Sequence, residues 1–382
     1  MPTSACSARA CRIAPPCLSA CPRRPAGCWP AWCYGAGSGV QPASPTGAAA
    51  CNKGSMSLPK WKRSLRRLRN LLTTRSSWTT WGFVLRLRLS GSAGMQTVPQ
   101  PAGPQPVSGN SPLPTDAQAA TGAGGIPPIV FQTWKSKTEL PPHYAVWSPS
   151  FPRHNPQFRH VIWDDADNRA FIRTSYPWFL DIYDRYPAEI FRADIVRYFF
   201  MFHHGGLYAD MDTECLAPLD GWLQGQGDVV LGAMGGDVSF PHSIPNAMMA
   251  SRPGQLFWLL VIALAVREAG GRSSAELKQL GPEAVTGPIL LRAACLLYRQ
   301  GSEADVRRLV REALPGLAPA DTAHHGALTL LDREVWYPLD WTNKAHKLFL
   351  RELRERRLFL GQQETRRLFP RARLITYWGH SW

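Results

Sequence analysis

The pattern of hydrophobic and polar positions in the C-terminal two thirds of the chain is of two kinds, short apolar runs typical of strands and helical spacing typical of amphipathic helices. Short apolar runs at residues 129–131 and 160–163 are bounded by prolines or acidic residues and predict strands. Residues 167–184 have apolar side chains at helical spacing with a break at Pro177, and residues 189–204 do so without a break. Strands that alternate with helices predict an α/β fold with a largely parallel sheet.

The stretch that follows the second helix combines apolar residues with carboxylates. Two glycines end the helix, and residues 207–212 are then predicted to form a strand. Alternation along that strand places Tyr208, Asp210 and Asp212 on one face. The two carboxylates would lie about 6.6 Å apart along the strand, since each residue rises ~3.3 Å. This spacing suits one hard divalent cation that also binds a diphosphate.

Asp194 and Arg197 lie one turn apart on the predicted helix 189–204, so they share a face. One interpretation is an ordinary ion pair on a helix surface. The other is that the pair lies over the end of the sheet and holds sugar hydroxyls. The strongly apolar surroundings of the pair favour the second interpretation.

Two further features concern the core of the domain. The longest apolar run, residues 256–266, has 11 residues, whereas a membrane-spanning helix needs about 20. We therefore expect a buried core helix there and no transmembrane segment. Cys215 and Cys295 are predicted to be buried free thiols.

The charge of the chain is concentrated in its N-terminal part. The net charge is +15, but the first 115 residues hold 14 of the 43 basic residues and no acidic one. The remaining 29 basic residues face 28 acidic ones, so the rest of the chain is nearly neutral. The basic excess therefore does not predict a nucleic-acid partner for the folded domain.

Residues 1–124 are predicted to be a disordered, low-complexity basic leader and linker before a domain at 125–382. Residues 1–55 suit either a targeting peptide or an over-extended reading frame. Residues 60–75 suit a basic amphipathic helix that contacts a membrane surface, or a solvated segment. Residues 91–125 are rich in Pro, Gly, Ala and Ser and predict a flexible linker.

Ten segments in order along the domain resemble glycosyltransferase family 32, the Asp-x-Asp sugar transferases. They are residues 126–135, 155–158, 163–165, 176–180, 192–198, 205–212, 243–247, 286–288, 337–341 and 377–382. Within the family, the segments at 176–180 and 380–382 are most similar to fungal-type inositol-phosphoceramide mannosyltransferases. The resemblance implies a GT-A fold, a Mn²⁺ (or Mg²⁺) cofactor and retention of the anomeric configuration.

The resemblance also implies roles for individual residues. Asp210 and Asp212 match the acids that bind the metal and the diphosphate, and Asp194 and Arg197 match residues that hold the donor hexose. Tyr208 matches an aromatic residue near the ribose and the sugar. The family places the nucleotide base at the end of the first strand, at Gln132, Thr133 and Trp134.

The aromatic C-terminus, residues 377–382, is predicted to dock on the domain, because chain ends seldom collect aromatic residues without a reason. It is either a terminal strand or a segment that closes over the donor diphosphate. In the second case His380 completes the metal shell, and Ser381 and Trp382 donate hydrogen bonds to the diphosphate.

The expected activity is transfer of a hexose, with mannose from GDP-mannose favoured, to a glycolipid or glycan acceptor. UDP-galactose and UDP-N-acetylglucosamine remain alternative donors, and an inactive sugar-nucleotide-binding module is the alternative from another class. The resemblance implies glycosphingolipid biosynthesis at the Golgi or another endomembrane, with peripheral membrane contact through the leader.

Overall fold

The computed structural model describes residues 95–97, 125–317 and 319–379. Ten strands lie in these ranges: β1 (Met95–Thr97), β2 (Ile129–Thr133), β3 (Arg159–Trp163), β4 (Gly206–Ala209), β5 (Thr213–Cys215), β6 (Val229–Gly232), β7 (Met248–Ser251), β8 (Leu328–Leu331), β9 (Leu358–Leu360) and β10 (Leu374–Thr376). Six of them form a central sheet in the order β3-β2-β4-β7-β6-β8, and two pairs, β1-β9 and β10-β5, form small sheets.

The central sheet is mostly parallel, as the sequence predicted. β2 runs parallel to β3 and to β4, and β6 runs parallel to β8. Only β7 runs antiparallel to both of its neighbours, β4 and β6. The connection from β6 to β7 contains no helix in the described structure, and such a connection suits an antiparallel neighbour rather than a parallel crossover.

The helices of the described chain are α1 (Pro142–Trp147), α2 (Ser150–His154), α3 (Asp165–Ser175), α4 (Leu180–Arg185), α5 (Glu189–His203), α6 (Leu256–Ala269), α7 (Ser274–Leu280), α8 (Pro282–Val285), α9 (Pro288–Gln300), α10 (Glu303–Ala313), α11 (Pro319–Thr322), α12 (Arg333–Trp336), α13 (Lys344–Glu355) and α14 (Gln362–Leu368). A 3₁₀ turn at Pro177–Phe179 separates α3 from α4, at the predicted break. The alternating faces of the sheet build two cores, with Phe131 and Tyr208 on one side and Val130 and Leu207 on the other.

The most apolar run of the chain forms α6, which packs against α5, α9 and α10. The prediction of a buried core helix is confirmed, because residues such as Trp258 and Leu260 are fully buried. Within the described ranges no single helix has the length and apolarity to cross a membrane. One pair bent by 96°, Ser274–Leu280 with Pro282–Gln300, meets the length and composition criteria only when its helices are joined. Cys215 and Cys295 are buried and free, as predicted.

The prediction of one strand over residues 207–212 is wrong at its C-terminal end. β4 ends at Ala209, and a turn follows in which the Thr213 amide donates to the Asp210 carbonyl at 3.0 Å. β5 then leaves the central sheet and pairs with β10. Aspartates favour turns because their side chains compete for backbone hydrogen bonds, which explains why the strand stops where the acids begin.

The small sheet of β1 and β9 connects the domain to the segment assigned to the leader. Met95 lies opposite Leu360 and Thr97 opposite Leu358 in an antiparallel register. Three residues of the predicted linker therefore belong to a sheet. The rest of the predicted leader, including its expected disorder and the amphipathic helix at 60–75, lies outside the described residues.

Candidate active site

The two aspartates of the Asp-x-Asp motif lie in the turn between β4 and β5, at the carboxyl end of a central strand. The turn is fixed through its backbone: the Asp210 amide donates to the Ala247 carbonyl at 2.8 Å. The Gln132 side-chain amide donates to the Asp210 carbonyl at 3.2 Å. Ligands in open α/β sheets bind at this end of the strands, so the turn lies at the expected place for a donor site.

Arg197 of α5 neutralises Asp210. Its guanidinium is 1% exposed, with Nη1 at 3.1 Å from Asp210 Oδ1 and Nη2 at 3.1 Å from Asp194 Oδ1. Arg197 also lies 4.6 Å above the ring of Tyr208, whose hydroxyl donates to Asp210 Oδ1 at 2.8 Å. The predicted set of Asp194, Arg197, Tyr208 and Asp210 is therefore brought together in one cluster, in which Asp210 alone is partly exposed.

Asn246 completes this cluster and was missed as a site residue by the sequence analysis. Its side-chain amide donates to Asp194 Oδ1 at 2.9 Å, and its main-chain carbonyl accepts from Arg197 Nη1 at 2.9 Å. Gly287 closes the other side of Asp194, since a Cβ at that position would lie 3.0 Å from Asp194 Oδ2. Segments 243–247 and 286–288 carry the family resemblance, and this was the signal that could have found both residues.

Asp212 has a different environment, built by the segment that follows β10. Thr376 donates to Asp212 Oδ1 at 3.2 Å, and the Gly379 amide donates to Oδ2. The Tyr377 amide donates to the Asp212 carbonyl at 3.0 Å. In the described part of the chain, no Lys or Arg forms an ion pair with Asp212. Its charge is thus met by neutral donors alone.

Tyr377 is held in place on both sides. Its hydroxyl donates to the buried carboxylate of Glu214 at 2.7 Å. Its ring stacks on Trp147, with 4.3 Å between the ring centroids. These contacts confirm that the start of the aromatic C-terminal segment docks on the domain. His380, Ser381 and Trp382, which were predicted to reach the cation and the diphosphate, lie outside the described residues.

Burial raises the pKa of the site's carboxyl groups. The pKa of Asp212 rises to about 6 through burial and then through the nearby charge of Asp210. The pKa of Asp194 also rises to about 6 through burial, against the opposing effect of Arg197. Burial raises the pKa of Asp210 too. A partly buried carboxylate whose pKa is raised further by a neighbouring carboxylate, as that of Asp212 is by Asp210, marks a site that a cation stabilises.

The donor atoms at this turn fit a hard divalent cation. Asp210 Oδ2 accepts no hydrogen bond within the described structure, and both motif side chains supply oxygen, which Mg²⁺ and Mn²⁺ prefer. The described ranges contain no group of three or more His, Cys, Asp or Glu residues arranged around a common point. The chain therefore offers two carboxylates here, and diphosphate oxygens would complete the shell.

The three residues predicted to meet the nucleotide lie at the end of β2, but their side chains are engaged within the protein. Gln132 Oε1 accepts from Ser148 at 2.5 Å and lies 2.7 Å from His160 Nε2. Thr133 donates to the Trp163 carbonyl at 3.1 Å. Trp134 is 3% exposed and donates to the Glu139 carbonyl at 3.0 Å. In this structure they position the turn and the neighbouring loop, while their contact with a nucleotide remains a prediction.

Comparisons with known proteins agree with this site. A family model described as the glycosyltransferase sugar-binding region containing the DXD motif matches residues 147–227. Inositol phosphoceramide mannosyltransferase 3 of Schizosaccharomyces pombe is 31% identical over 218 residues, covering 57% of this chain and 58% of the relative. Mannosyl phosphorylinositol ceramide synthase CSH1 of Saccharomyces cerevisiae is 30% identical over 200 residues, covering 52% and 49%. The chain thus spans about half the length of these curated relatives.

One solved structure, the PaToxG glycosyltransferase, aligns with 50% of this chain and 79% of its own, at 16% identity and a TM-score of 0.32. Residues 147–227, which contain the Asp-x-Asp turn, thus match the sugar-binding region of DXD glycosyltransferases. The family model and the curated relatives support the resemblance to glycosyltransferase family 32.

Proposed function

We propose that this chain is a metal-dependent, retaining glycosyltransferase that moves mannose from GDP-mannose to a glycolipid or glycan acceptor. The observation that carries the proposal is the contrast within the motif, where Arg197 neutralises Asp210 while Asp212 pairs with no described Lys or Arg. Asp212 is partly buried, and a carboxylate that is shielded from water without a counter-ion is destabilised unless a cation binds there. The names of the curated relatives favour mannose over other hexoses.

Asp210 and Asp212 would hold the cation from one side. A divalent ion at this position supplies positive charge for the diphosphate leaving group. Asp212 is oriented by the Thr376 hydroxyl and the Gly379 amide, so its carboxylate is fixed before the donor arrives. This preorganisation avoids the cost of arranging the ligand during the reaction.

The cluster around Arg197 would hold the hexose. Arg197 Nη2 is buried and makes no hydrogen bond within the described chain, although it lies at ion-pair distance from Asp194. An unsatisfied guanidinium N–H beside a carboxylate matches the paired acceptor and donor of a sugar hydroxyl. Asp194 and Arg197 therefore remain our candidates for hexose recognition, with Asn246 as the residue that orients Asp194.

UDP-galactose and UDP-N-acetylglucosamine remain the alternative donors, and an inactive sugar-nucleotide-binding module remains the alternative function. We keep residues 125–382 as the catalytic domain, with β1 added to it through β9. An endomembrane location, with peripheral contact through the basic leader, goes with a glycolipid acceptor and is part of the same proposal.

A panel of nucleotide sugars tests the proposal. The full chain is incubated with GDP-mannose, UDP-galactose or UDP-N-acetylglucosamine, with Mn²⁺ or with excess chelator, and the released nucleotide is measured. We expect hydrolysis of GDP-mannose above the other two and only in the presence of metal. Full activity in chelator contradicts the metal assignment. Preference for a UDP-sugar contradicts GDP-mannose as the donor and identifies the UDP-sugar instead. Nucleotide binding without hydrolysis or transfer supports the inactive module.

A further inference from the structure

The loop between β6 and β7, residues 233–247, passes over the carboxyl end of β4. β7 begins at Met248, which lies opposite Ala209, the last residue of β4. The Asp210 amide donates to the Ala247 carbonyl at 2.8 Å, so the end of the loop is attached to the Asp-x-Asp turn. The loop therefore forms one wall of the candidate active site.

Asn246 links this loop to both candidates for hexose recognition on α5. Its side-chain amide donates to Asp194 Oδ1 at 2.9 Å and to the Tyr198 hydroxyl at 3.2 Å. Its main-chain carbonyl accepts from Arg197 Nη1 at 2.9 Å. Within the described residues Asp194 Oδ2 accepts no hydrogen bond, so this oxygen is left for a ligand. A displacement of Asn246 would therefore change the direction in which that oxygen points.

Ser243 anchors the loop from within. It is 4% exposed, its amide donates to the Phe240 carbonyl at 2.9 Å, and its carbonyl accepts from the Met234 amide at 2.9 Å. Its hydroxyl donates to the Val238 carbonyl at 3.2 Å. Only two residues separate Ser243 from Asn246, so the position of Ser243 restricts where the Asn246 side chain can lie.

Arg292 of α9 holds the loop at two points. Its Nε donates to the Ser243 hydroxyl at 3.1 Å, and its Nη2 donates to the Val238 carbonyl at 2.9 Å. The guanidinium is planar and its donors have fixed directions, so the two hydrogen bonds define both the distance and the orientation of the loop. Arg292 is half-buried and forms no ion pair in the part of the chain that the structure describes.

The same helix contacts Asp194 directly. Gly287 immediately precedes α9, and a Cβ at that position would lie 3.0 Å from Asp194 Oδ2. Arg292 follows five residues later. One helix therefore fixes the loop relative to the carboxylate that the loop orients.

On its other side the loop is held by aromatic packing. The rings of Phe240 and His242 contact Trp341, with centroid distances of 5.8 and 5.7 Å. Apolar packing is non-directional, whereas the hydrogen bonds from Arg292 require a defined geometry. The precise placement of the loop thus depends on Arg292 more than on the rings.

We propose, on the basis of the proposed function, that Arg292 is a positioning residue for the donor hexose. Arg292 does not touch the sugar. It holds Ser243 and, through the loop, fixes Asn246, which orients Asp194 and Arg197. Loss of Arg292 should weaken recognition of the hexose and leave recognition of the nucleotide and the diphosphate intact, because a shift of about 1 Å in a positioned group has large effects.

A purely structural role for Arg292 predicts a different result. If Arg292 only stabilised the fold, its loss would lower the melting temperature and weaken all ligands of the donor site together. Loss of a positioning residue weakens only the ligands that carry the hexose. GDP and GDP-mannose differ in the mannosyl group alone, so this pair of ligands separates the two roles.

Calorimetry on the full chain with Mn²⁺ measures both affinities, and chromatography verifies that GDP-mannose is intact after each titration. We expect Arg292→Gln to weaken GDP-mannose binding about tenfold and GDP binding less than about twofold. Arg292→Lys should lose nearly as much, because an ammonium lacks the planar pair of donors. The matched control is Arg299→Gln, which should change neither affinity. Arg299 is exposed on the same helix and forms no ion pair or hydrogen bond within the described ranges.

A double-mutant cycle shows whether Arg292 acts through Asn246. Asn246→Ala removes the amide that orients Asp194, so it should weaken GDP-mannose binding at least as much as Arg292→Gln does. If Arg292 acts through Asn246, adding Arg292→Gln to Asn246→Ala should cause less than about a twofold further loss. A full additional loss of about tenfold would show that Arg292 acts by another route, and would overturn the proposal.

The remaining outcomes separate this inference from the proposed function. Equal weakening of GDP and GDP-mannose by Arg292→Gln overturns the inference, and so does full binding in Arg292→Gln or Arg292→Lys. If Asn246→Ala also leaves GDP-mannose binding unchanged, the proposed hexose site fails together with the inference. Hexose binding that depends on Arg292 in a chain that hydrolyses no donor supports the inference and contradicts the proposed catalysis. If the preferred donor is a UDP-sugar, UDP and that sugar nucleotide form the test pair.

Discussion

The two carboxylates of the Asp-x-Asp motif differ in whether the protein supplies a positively charged partner. Asp210 is neutralised by Arg197, held by the hydroxyl of Tyr208, and backed by Asp194 on a helix of the core. Asp212 receives only neutral donors from the segment after β10. The difference indicates a division of labour: the Asp210 side is preformed around the Arg197 counter-ion, whereas Asp212 has no such counter-ion and is available to a cation.

The largest effect should come from removing the counter-ion on the Asp210 side. Arg197→Met leaves the buried Asp194 and the partly buried Asp210 without a counter-ion, and we expect a loss of about 3–5 kcal/mol in unfolding free energy. Urea denaturation measures it. The matched control is Arg169→Met, which breaks the exposed ion pair with Asp184 and should change stability little. Equal losses in both variants would show that Arg197 is not the counter-ion on which the two carboxylates depend.

On the Asp212 side the same kind of change should affect turnover rather than stability. Asp212→Asn keeps the shape and removes the charge, so we expect turnover of the donor to fall about 100-fold, or about 2.7 kcal/mol in the barrier. Initial rates at saturating Mn²⁺, with a parallel melting curve, measure both quantities. Loss of the fold, or undiminished turnover, would mean that Asp212 is structural.

Lowering the pH should decrease the stability of the folded protein through His160, which contacts a residue that holds Asp210. His160 contacts Gln132, which holds the Asp210 carbonyl, and burial lowers the pKa of His160 to about 4. Below pH 6.5 the His160 ring is protonated in the unfolded chain but stays neutral in the folded protein. The stability that His160 contributes is therefore lost as the pH falls from 6.5 towards 4, by about 1.4 kcal/mol per pH unit.

The comparison of wild type with His160→Gln isolates this effect, because all other titrating groups are shared. Between pH 7 and pH 5 the difference in unfolding free energy should shift by about 2 kcal/mol in favour of the variant. Urea denaturation at both pH values measures the shift. Parallel pH profiles would show that His160 titrates at its ordinary pKa in the folded protein.

The smallest effect concerns the segment that orients Asp212. Tyr377→Phe removes the hydrogen bond to the buried Glu214, and we expect a loss of about 1–2 kcal/mol at pH 8, since the pKa of Glu214 is raised by burial to about 7. Tyr186→Phe is the matched control, because the buried Tyr186 hydroxyl has no hydrogen-bond partner in the described chain. A similar loss of unfolding free energy in both variants would show that the hydrogen bond to Glu214 does not stabilise the protein.

Local patterns predicted the elements that frame the site. β2, β3, α5 and the glycines after α5 were found because strand runs, helical spacing and Gly205-Gly206 are signals within a few residues. The end of β4 was missed, since the aspartates have strand alternation but form a turn. β1 was missed because three residues in a Pro- and Gly-rich stretch are too few to show an alternation of apolar and polar positions.

The contacts that distinguish the two aspartates were beyond the reach of local patterns. Asn246 is 52 residues from Asp194, and Thr376 and Gly379 are 164 and 167 residues from Asp212. Such contacts depend on how strands pair and helices pack, which periodicity does not specify. The family resemblance marked the segments involved, but it did not show that Arg197 neutralises only one of the two motif acids.

The most direct test of the central claim is the effect of Mn²⁺ on melting temperature in wild type and in Asp212→Asn. If the cation offsets a partly buried charge for which the protein supplies no counter-ion, Mn²⁺ should raise the melting temperature of the wild type and leave that of the variant unchanged. Without metal, the variant should be at least as stable as the wild type, because it lacks that charge. Equal stabilisation of both proteins by Mn²⁺, or a metal-free variant much less stable than the wild type, would contradict the account.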